Sequence, residues 1–208
     1  MKEKNKDTDM TKIRELNAAM RQKRANLLNA ARYLFIEKGF HNTSIDAIVN
    51  SAQVAKGTFY LYFKDKEDIL NEIVYEINRT ILLKAYNAAR ELHTKDKLER
   101  FIFMIDSIID HFIKNPDELV LVHRNFSWPL IKERIFATQE DADLSEALNW
   151  LVENYRVRKT EEDEIANIIY AIVEMCGSLC YSCIIKQQPT DIFTMKPTLY
   201  KMIRRILS

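Results

Sequence analysis

The chain has 208 residues, which is enough for one or two domains with a sizeable core. It holds only 3 Gly and 4 Pro, so the turn residues that β-hairpins and glycine-rich nucleotide loops need are scarce, and a nearly all-helical fold is predicted. The net charge is +1, but residues 1–66 hold 13 Lys or Arg against 7 Asp or Glu, which leaves 18 against 23 for the remainder. This asymmetry indicates a basic module that contacts a polyanion, followed by an acidic module that does not.

The first helix is expected to follow a polar arm. Residues 1–20 lack the apolar stretch of a secretory signal or membrane anchor, so we expect a cytoplasmic protein whose N-terminal arm is polar. Apolar residues then recur with helical spacing from Leu27 to Phe35, which predicts a helix with one buried face. Gly39 is expected to end this helix in a left-handed conformation.

Two short helices are predicted next. Thr43 and Asp46 have the spacing of a capping box and predict the start of the first one. A break at residues 52–54 leads into the second, over residues 55–63, where Phe59 and Phe63 are one turn apart and should point inward.

A longer helix is expected to begin after Asp65, with Asp68 completing the cap three residues later. Two short amphipathic helices joined by a three-residue turn and braced by a longer helix are the geometry of a helix-turn-helix. We therefore predict a helix-turn-helix domain over residues 21–66.

The outward side of the second short helix carries the functional signal. Lys56, Tyr60 and Lys64 repeat every four residues, and Gly57 and Thr58 lie in its first turn. Cations, hydroxyls and exposed amides at the start of a helix are phosphate-binding groups. A glycine inside a helix costs about 1 kcal/mol relative to alanine, which is explained if a side chain there would collide with a DNA backbone. The alternative is a surface helix with an incidental glycine.

These residues also carry a resemblance. The run TSIDAIVNSAQVAKGTFYLYF from Thr43 to Phe63, the following KDKEDIL and the preceding ARYLFIEKGF resemble the DNA-binding signature of the TetR family of bacterial regulators. The similarity covers roughly residues 24–75, about a quarter of the chain. It implies a transcriptional regulator, by the family's habit a repressor, that binds a palindromic operator in double-stranded DNA as a homodimer. It also implies release from DNA by a small ligand held in the C-terminal domain.

The resemblance implies individual roles as well. Thr43 or Ser44 would hold a phosphate, Lys56 to Thr58 would meet base edges or backbone, and Tyr60, Tyr62 and Lys66 would clamp phosphates. Members of the family usually have Gly where this chain has Gln53, and Ser or Thr where it has Ala55. The full set of expected DNA-contacting residues is Thr43, Ser44, Lys56, Gly57, Thr58, Tyr60, Leu61, Tyr62, Lys64 and Lys66.

Residues 67–208 are expected to form a larger helical domain for regulation and dimerisation. Beyond the shared long helix, helices are predicted over residues 97–114, 116–125, 144–154, 161–186 and 197–207. The stretch Ile165–Ile185 is apolar nearly all round but contains Glu174, which would cost roughly 2 to 3 kcal/mol in a membrane. We interpret it as a helix covered by its own domain and a partner's copy, and expect no membrane association.

The resemblance implies that this helix and the last helix pair the two subunits. The expected dimer residues are Ile169, Ile172, Cys176, Leu179, Cys180, Cys183, Leu199, Met202, Ile203 and Ile206.

Aromatic and soft side chains crowd the middle of the chain, and most are predicted to be ordinary core. The resemblance raises the possibility of a pocket for a small apolar or amphipathic ligand, whose binding would shift the angle between the two DNA-reading modules. The candidate pocket residues are Phe103, Met104, His111, His123, Phe126, Trp128, Tyr170 and Glu174.

The sequence offers less support for other classes of function. No nucleophile motif, phosphate loop or metal-ligand spacing occurs, so no catalytic residue, metal or cofactor is expected. Cys176, Cys180 and Cys183 form one helical stripe and are predicted to be small buried hydrophobes, with a thiol-switched regulator as the alternative. A helical small-molecule carrier that never binds DNA is a further alternative, but it leaves the pattern from Lys56 to Lys66 unexplained.

Overall fold

The computed structural model describes residues 2–125, 141–154 and 162–207. Within those ranges the regular structure is entirely helical, which confirms the predicted all-α class. The chain divides between Ile73 and Val74 into two compact units. The helices, in chain order, are α1 (Lys2–Lys38), α2 (Ile45–Ser51), α3 (Lys56–Tyr60), α4 (Lys66–Glu91), α5 (Lys97–Lys114), α6 (Pro116–Asn125), α7 (Ala142–Asn154), α8 (Glu162–Cys180) and α9 (Ile192–Leu207).

The first unit is built on α1, which is longer than the sequence pattern indicates. It begins at Lys2, so the polar segment before the apolar pattern is helical and continuous with it. The predicted face is confirmed, since Leu27, Ala31 and Leu34 are buried. Gly39 ends the helix with φ +78°, where its amide donates a hydrogen bond to the carbonyl of Phe35.

The start of α2 differs from the prediction. The capping residue is Ser44, whose hydroxyl accepts a hydrogen bond from the amide of Ala47 at 3.1 Å. The capping box of Thr43 and Asp46 is therefore wrong by one residue. The physical reason is that the Thr43 side chain is needed inside the protein, where it is almost completely buried.

The turn between α2 and α3 contains a residue in an unusual conformation. Gln53 has φ +57°, in the left-handed region that disfavours residues with a Cβ atom. Ala55 then precedes α3 and makes no side-chain cap. α3 itself covers Lys56–Tyr60, because the chain passes into a turn at Leu61 before reaching Phe63.

The predicted cap of α4 is confirmed. Asp65 accepts a hydrogen bond from the amide of Asp68 at 2.8 Å, and the Asp68 carboxylate accepts one from the amide of Lys64 at 2.9 Å. Two amides at the start of the helix are satisfied in this way. The angle at which the chain enters α4 is thereby fixed.

In the second unit, α5 and α6 have the predicted bounds, and Asp96 caps α5 by accepting from the amides of Leu98 and Glu99. The last helix is bound to α5 by charged side chains. The ammonium of Lys196 lies 2.6 Å from Asp106 and 2.5 Å from Asp110, and the Tyr200 hydroxyl donates to Asp106 as well.

The predicted start of the last helix is wrong. α9 begins at Ile192, and Pro197 lies inside it rather than in its first turn. The reason is Asp191, whose carboxylate accepts from the amides of Phe193 and Thr194 and from the hydroxyl of Thr194. A strong cap upstream therefore determines where the helix begins.

α8 has the predicted apolar character. It is followed by a π-helical turn over Tyr181–Ile185. Among the described residues, Asn167–Ile185 is the stretch long and apolar enough to cross a membrane, by length and composition alone. Of its residues, 22% are fully buried within the single chain, most of the others are half-buried, and Tyr170 and Val173 are exposed. Part of its apolar surface is therefore available to be covered by another molecule. That a second subunit covers it stays a prediction.

Candidate functional site

The outer surface of α3 is exposed, and its inner surface is anchored in the core. Phe59 and Phe63 are buried as predicted, with their ring centroids 5.8 Å apart. On the other side, Tyr60 is 54% exposed and Leu61 is 78% exposed. Tyr60 and Leu61 are therefore accessible to an external molecule at the end of α3.

Gly57 has no structural requirement inside the protein. Its φ is not in the left-handed region, and a Cβ atom built there would meet no atom of the protein outside the helix's own backbone within 4 Å. Alanine would therefore fit, and it would favour the helix by about 1 kcal/mol. The absence of a side chain gives an external molecule close access to the backbone of α3.

Two lysines on this surface are accessible. Lys56 is exposed and lies 2.8 Å from the Asp46 carboxylate, whose hydrogen bond raises the pKa of the lysine. An exposed ion pair of this kind contributes little to stability, so a phosphate can replace Asp46 as the partner. The side chain of Lys64 is exposed as well.

Of the two residues expected to hold a phosphate before α2, only Ser44 is accessible. The Thr43 hydroxyl lies 2.9 Å from the carbonyl of Gly39 and 3.2 Å from that of Leu34, and the residue is 2% exposed. Thr43 is therefore a structural residue, and its expected phosphate contact is corrected. Ser44 remains exposed while capping the helix.

Lys66 and Tyr62 are also used within the protein. The Lys66 ammonium donates to the carbonyls of Phe40 at 2.7 Å and Thr43 at 2.9 Å. This geometry contradicts its expected role as a phosphate clamp, because the donors point to the loop before α2. The Tyr62 hydroxyl donates to the carbonyl of Met20 at 2.9 Å.

A separate cavity lies in the second unit. Its volume is about 260 Å³ and its lining is mostly apolar, with contributions from α4 to α8. This is near the lower end of the size range of small-molecule sites. Phe101, Met104 and Phe112 of α5 and Ile169 and Ile172 of α8 are among the apolar residues that face it.

The structure brings only some of the predicted ligand residues to this cavity. Met104, His123 and Glu174 line it. His111 instead pairs with Glu118 at 2.9 Å, Phe103 faces a shallow depression near Tyr200, and Tyr170 is exposed. These three expectations are therefore corrected, and Phe126 and Trp128 lie outside the described residues.

Sequence reasoning missed the polar side of the cavity, which is supplied by α4. Tyr75, Asn78 and Arg79 all line it. Their spacing of three and four residues places them on one helical face, and this signal was available in the sequence. Arg79 binds Asp141 through two hydrogen bonds, which raise the pKa of the guanidinium and lower that of the carboxyl.

The expected dimer residues divide into three groups by their exposure in the single chain. Six of them are buried within the single chain and cannot be the surface of contact: Ile169, Ile172, Cys180, Cys183, Leu199 and Ile203. Cys176 and Leu179 are half-buried, and Met202 and Ile206 are exposed. The prediction was wrong for the six because a helical stripe that faces the interior of its own domain has the same spacing as one that faces a partner.

The cysteines are poorly suited to a thiol switch. Burial raises the pKa of Cys176 and that of Cys180 to about 12, and it raises the pKa of Cys183 as well. The reactive form of cysteine is the thiolate. All three side chains are therefore neutral thiols near pH 7.

Two short helices joined by a tight turn, with an exposed second helix held from behind by aromatic side chains, define a helix-turn-helix protein of the DNA-binding class. Residues 27–73 match the family described as bacterial regulatory proteins, tetR family. This segment of the chain is thus similar to the DNA-binding region of that family, in agreement with the resemblance found in the sequence.

Relatives support the same assignment. The chain is 36% identical over 88 residues to the transposon Tn10 TetC protein of Escherichia coli, a match covering 42% of this chain and 41% of that protein. It is 34% identical over 112 residues to the fatty acid metabolism regulator protein of Bacillus subtilis, covering 51% and 58%. These matches span about half the length of the curated relatives.

The fold as a whole has solved counterparts. The transcriptional regulator FadR from Bacillus subtilis, solved in complex with stearoyl-CoA, aligns with a TM-score of 0.61 at 18% identity. The alignment covers 86% of this chain and 96% of that one. At this identity the likeness establishes the fold alone, and the similarity to the family rests on the N-terminal match.

Proposed function

We propose that the protein is a cytoplasmic transcriptional repressor that binds a palindromic operator as a homodimer and is released by a small ligand. The observation that carries the DNA-binding part is the exposed surface of α3, where Gly57 leaves the backbone open beside Tyr60 and Leu61. Residues 21–66 serve as the DNA-binding domain in this proposal, and residues 67–208 serve regulation and dimerisation.

The proposed DNA contacts are drawn from the residues that the fold leaves accessible. Lys56, Gly57 and Thr58 read base edges or the adjacent backbone, whereas Tyr60, Lys64 and Ser44 contact phosphates. Leu61 packs against the sugar or base surface, and Tyr62 contributes through its ring rather than through its hydroxyl, which donates to Met20.

The proposed dimer surface is the exposed apolar side of α8 and α9. Tyr170 and Val173 on α8 and Met202 and Ile206 on α9 are exposed in the single chain. Met202 and Ile206 are four residues apart and share one side of α9, whereas Phe193, which is 66% exposed, lies on the opposite side of that helix. Exposed large apolar side chains that share one side of a helix favour an interface. A twofold pair would bring two DNA-binding domains to the two halves of a palindrome.

The proposed ligand site is the cavity among α4 to α8. Its apolar lining with a few polar groups is the usual composition of a small-molecule site. A ligand weakens DNA binding only if it binds the two conformations of the protein with different affinity. The stearoyl-CoA complex of a protein with the same fold supports the presence of a ligand site in this domain.

Selection of bound sequences from a random duplex pool tests the proposal directly. Recovery of a palindrome is expected, and enrichment of no sequence would contradict it. The sharpest variant is Gly57→Ala, which should keep or raise thermal stability because the added methyl group has room, yet lower operator affinity at least tenfold. Asn87→Ala, on the exposed surface of α4, is the matched control and should bind the operator as the parent does.

A further inference from the structure

The charges that line the cavity are few and unequally partnered. Among its described lining residues, the Asp, Glu, Lys or Arg side chains are those of Arg79 on α4 and Glu174 on α8. In a mostly apolar site, a small number of polar groups determine which ligand is accepted. Whether Arg79 or Glu174 remains able to pair with a ligand therefore decides whether the cavity favours an anionic or a cationic ligand.

Arg79 is already occupied by carboxylates. Its guanidinium forms two hydrogen bonds with Asp141 and lies 3.6 Å from Asp143. The Tyr75 hydroxyl donates to the same Asp141 at 3.0 Å. Two parallel hydrogen bonds to one carboxylate are among the strongest that arginine makes. A second carboxylate from a ligand would have to compete with this arrangement.

Glu174 has no comparable partner. No hydrogen bond or ion pair joins it to the part of the chain that the structure describes, although it is half-buried and faces the cavity. A carboxylate taken partly out of water against apolar side chains is costly unless a cation pairs with it. Within the described part of the chain, Glu174 is therefore the acidic group of the cavity to which no cation is paired.

The other cavity residues are compatible with a cation. Phe101 and Phe112 line the cavity, and the faces of aromatic rings attract cations. The His123 ring is stacked on Tyr181, with centroids 4.0 Å apart and planes inclined by 12°. This stacking places one face of the imidazole against the tyrosine ring.

We propose that the cavity selects an apolar ligand that carries a positive charge, such as an alkylammonium ion, with the charged group paired to Glu174. This inference rests on the proposed function, in which the cavity is the ligand site. The apolar part of the ligand fills the space between α5 and α8. An anion with the same apolar part meets Glu174 without a free cation to balance it.

Three probes with the same alkyl chain test the proposal: octyltrimethylammonium, octanol and octanoate. Binding of each to the full-length protein is measured by calorimetric titration at pH 8, where an ordinary histidine is neutral. We expect octyltrimethylammonium to bind at least tenfold more tightly than octanoate. Equal affinity, or a preference for octanoate, overturns the proposal.

Variants identify the group responsible. Glu174→Gln is expected to reduce the preference for the cation about tenfold while leaving octanol binding unchanged. Asp117→Asn removes one negative charge from the exposed start of α6 and should leave the preference unaltered. Asp141→Asn, which releases Arg79, is expected to shift the preference towards octanoate. An unchanged preference in Glu174→Gln, with circular dichroism showing a folded protein, overturns the assignment to Glu174.

The neutral probe separates this inference from the proposed function. If octanol and octanoate bind but the cation does not, the cavity is a ligand site and the inferred charge preference is wrong. If none of the three probes binds, the inference fails together with the ligand site of the proposed function. DNA binding is measured independently and is not affected by either outcome.

Discussion

The ammonium group of Lys66 lies 2.7 Å from the carbonyl oxygen of Phe40 and 4.3 Å from the centroid of the same residue's ring. Lys66 therefore fixes the loop between α1 and α2 through both the backbone and the side chain of one residue. Since Ser44 follows this loop directly, the position of the cap of α2 depends on a lysine from the start of α4.

This arrangement predicts that Lys66 and the neighbouring Lys64 differ in effect. Lys66→Met should lower the free energy of unfolding by about 1 to 2 kcal/mol, because two carbonyls lose a charged donor. Lys64→Met should leave stability unchanged within about 0.5 kcal/mol. Denaturant unfolding of both variants measures the difference.

The salt dependence of DNA binding gives a second comparison between Lys64 and Lys66. If each subunit neutralises four phosphates, the parent dimer should show a log–log salt slope of about −7, and Lys64→Met should make it less steep by about 2. A slope unchanged in Lys64→Met would remove this lysine from the contact surface. Equal loss of stability in both variants would contradict the structural role of Lys66.

Replacement of Gln53 is expected to stabilise the protein, whereas replacement of Lys66 is expected to destabilise it. Its φ of +57° costs about 1 to 2 kcal/mol for a residue with a Cβ atom, and glycine recovers that cost minus its own extra entropy. Gln53→Gly should therefore stabilise the protein by up to about 1 kcal/mol, measured by thermal unfolding. Gly39→Ala, at φ +78° with free space around it, is the converse control and should destabilise by a similar amount. A less stable Gln53→Gly protein would mean that the glutamine side chain has a role of its own.

The thiols of Cys176 and Cys180 predict how the stability of the folded protein depends on pH. Because the pKa of Cys176 and that of Cys180 are raised from 9.0 to about 12, the folded protein holds these protons after the unfolded chain has released them. The free energy of unfolding that these two thiols contribute is therefore fully present below pH 9 and is lost as the pH rises towards 12.

Alkylation with iodoacetamide, followed by mass spectrometry, measures how reactive the two thiols are in the folded protein. At pH 7.5 the native protein should react far more slowly than the denatured protein at both positions. Rapid modification of either cysteine in the native protein would favour the thiol-switched alternative instead.

The proposed dimer surface on α9 predicts which substitutions would separate the two subunits. Met202→Glu or Ile206→Glu places a charge on the proposed dimer surface and should convert the protein to a folded monomer, as measured by light scattering. Leu199→Ala, at a buried position of the same helix, should instead destabilise the subunit by about 2 to 5 kcal/mol. A charged variant that remains dimeric would exclude this surface.

Much of the DNA-binding domain is predictable because its determinants are local. The helical spacing of Leu27, Ala31 and Leu34, the left-handed Gly39 and the cap at Asp65 each depend on residues within a few positions of one another. The exposed surface of α3 follows from the inward direction of Phe59 and Phe63, which helical geometry fixes.

The errors arise where a choice depends on contacts distant in sequence. Thr43 and Ser44 are equally good caps locally, and Thr43 turns inward to the carbonyls of Gly39 and of Leu34, which is nine residues away. From the sequence alone Lys66 resembles a phosphate ligand, because the loop at Phe40 to which its ammonium group donates is 26 residues away in the chain. In α8, helical spacing identifies apolar stripes but does not distinguish the one that faces a cavity from the one that faces a partner.

The hydrogen bond between Tyr62 and the carbonyl of Met20 has a practical consequence for anyone who shortens this protein. The opening twenty residues have a polar composition that invites removal, yet their last carbonyl holds the tyrosine that follows α3. A version that begins at residue 21 lacks this carbonyl and leaves the Tyr62 hydroxyl without the partner it has in the full chain. Any operator affinity measured on such a version therefore needs comparison with that of the 208-residue chain.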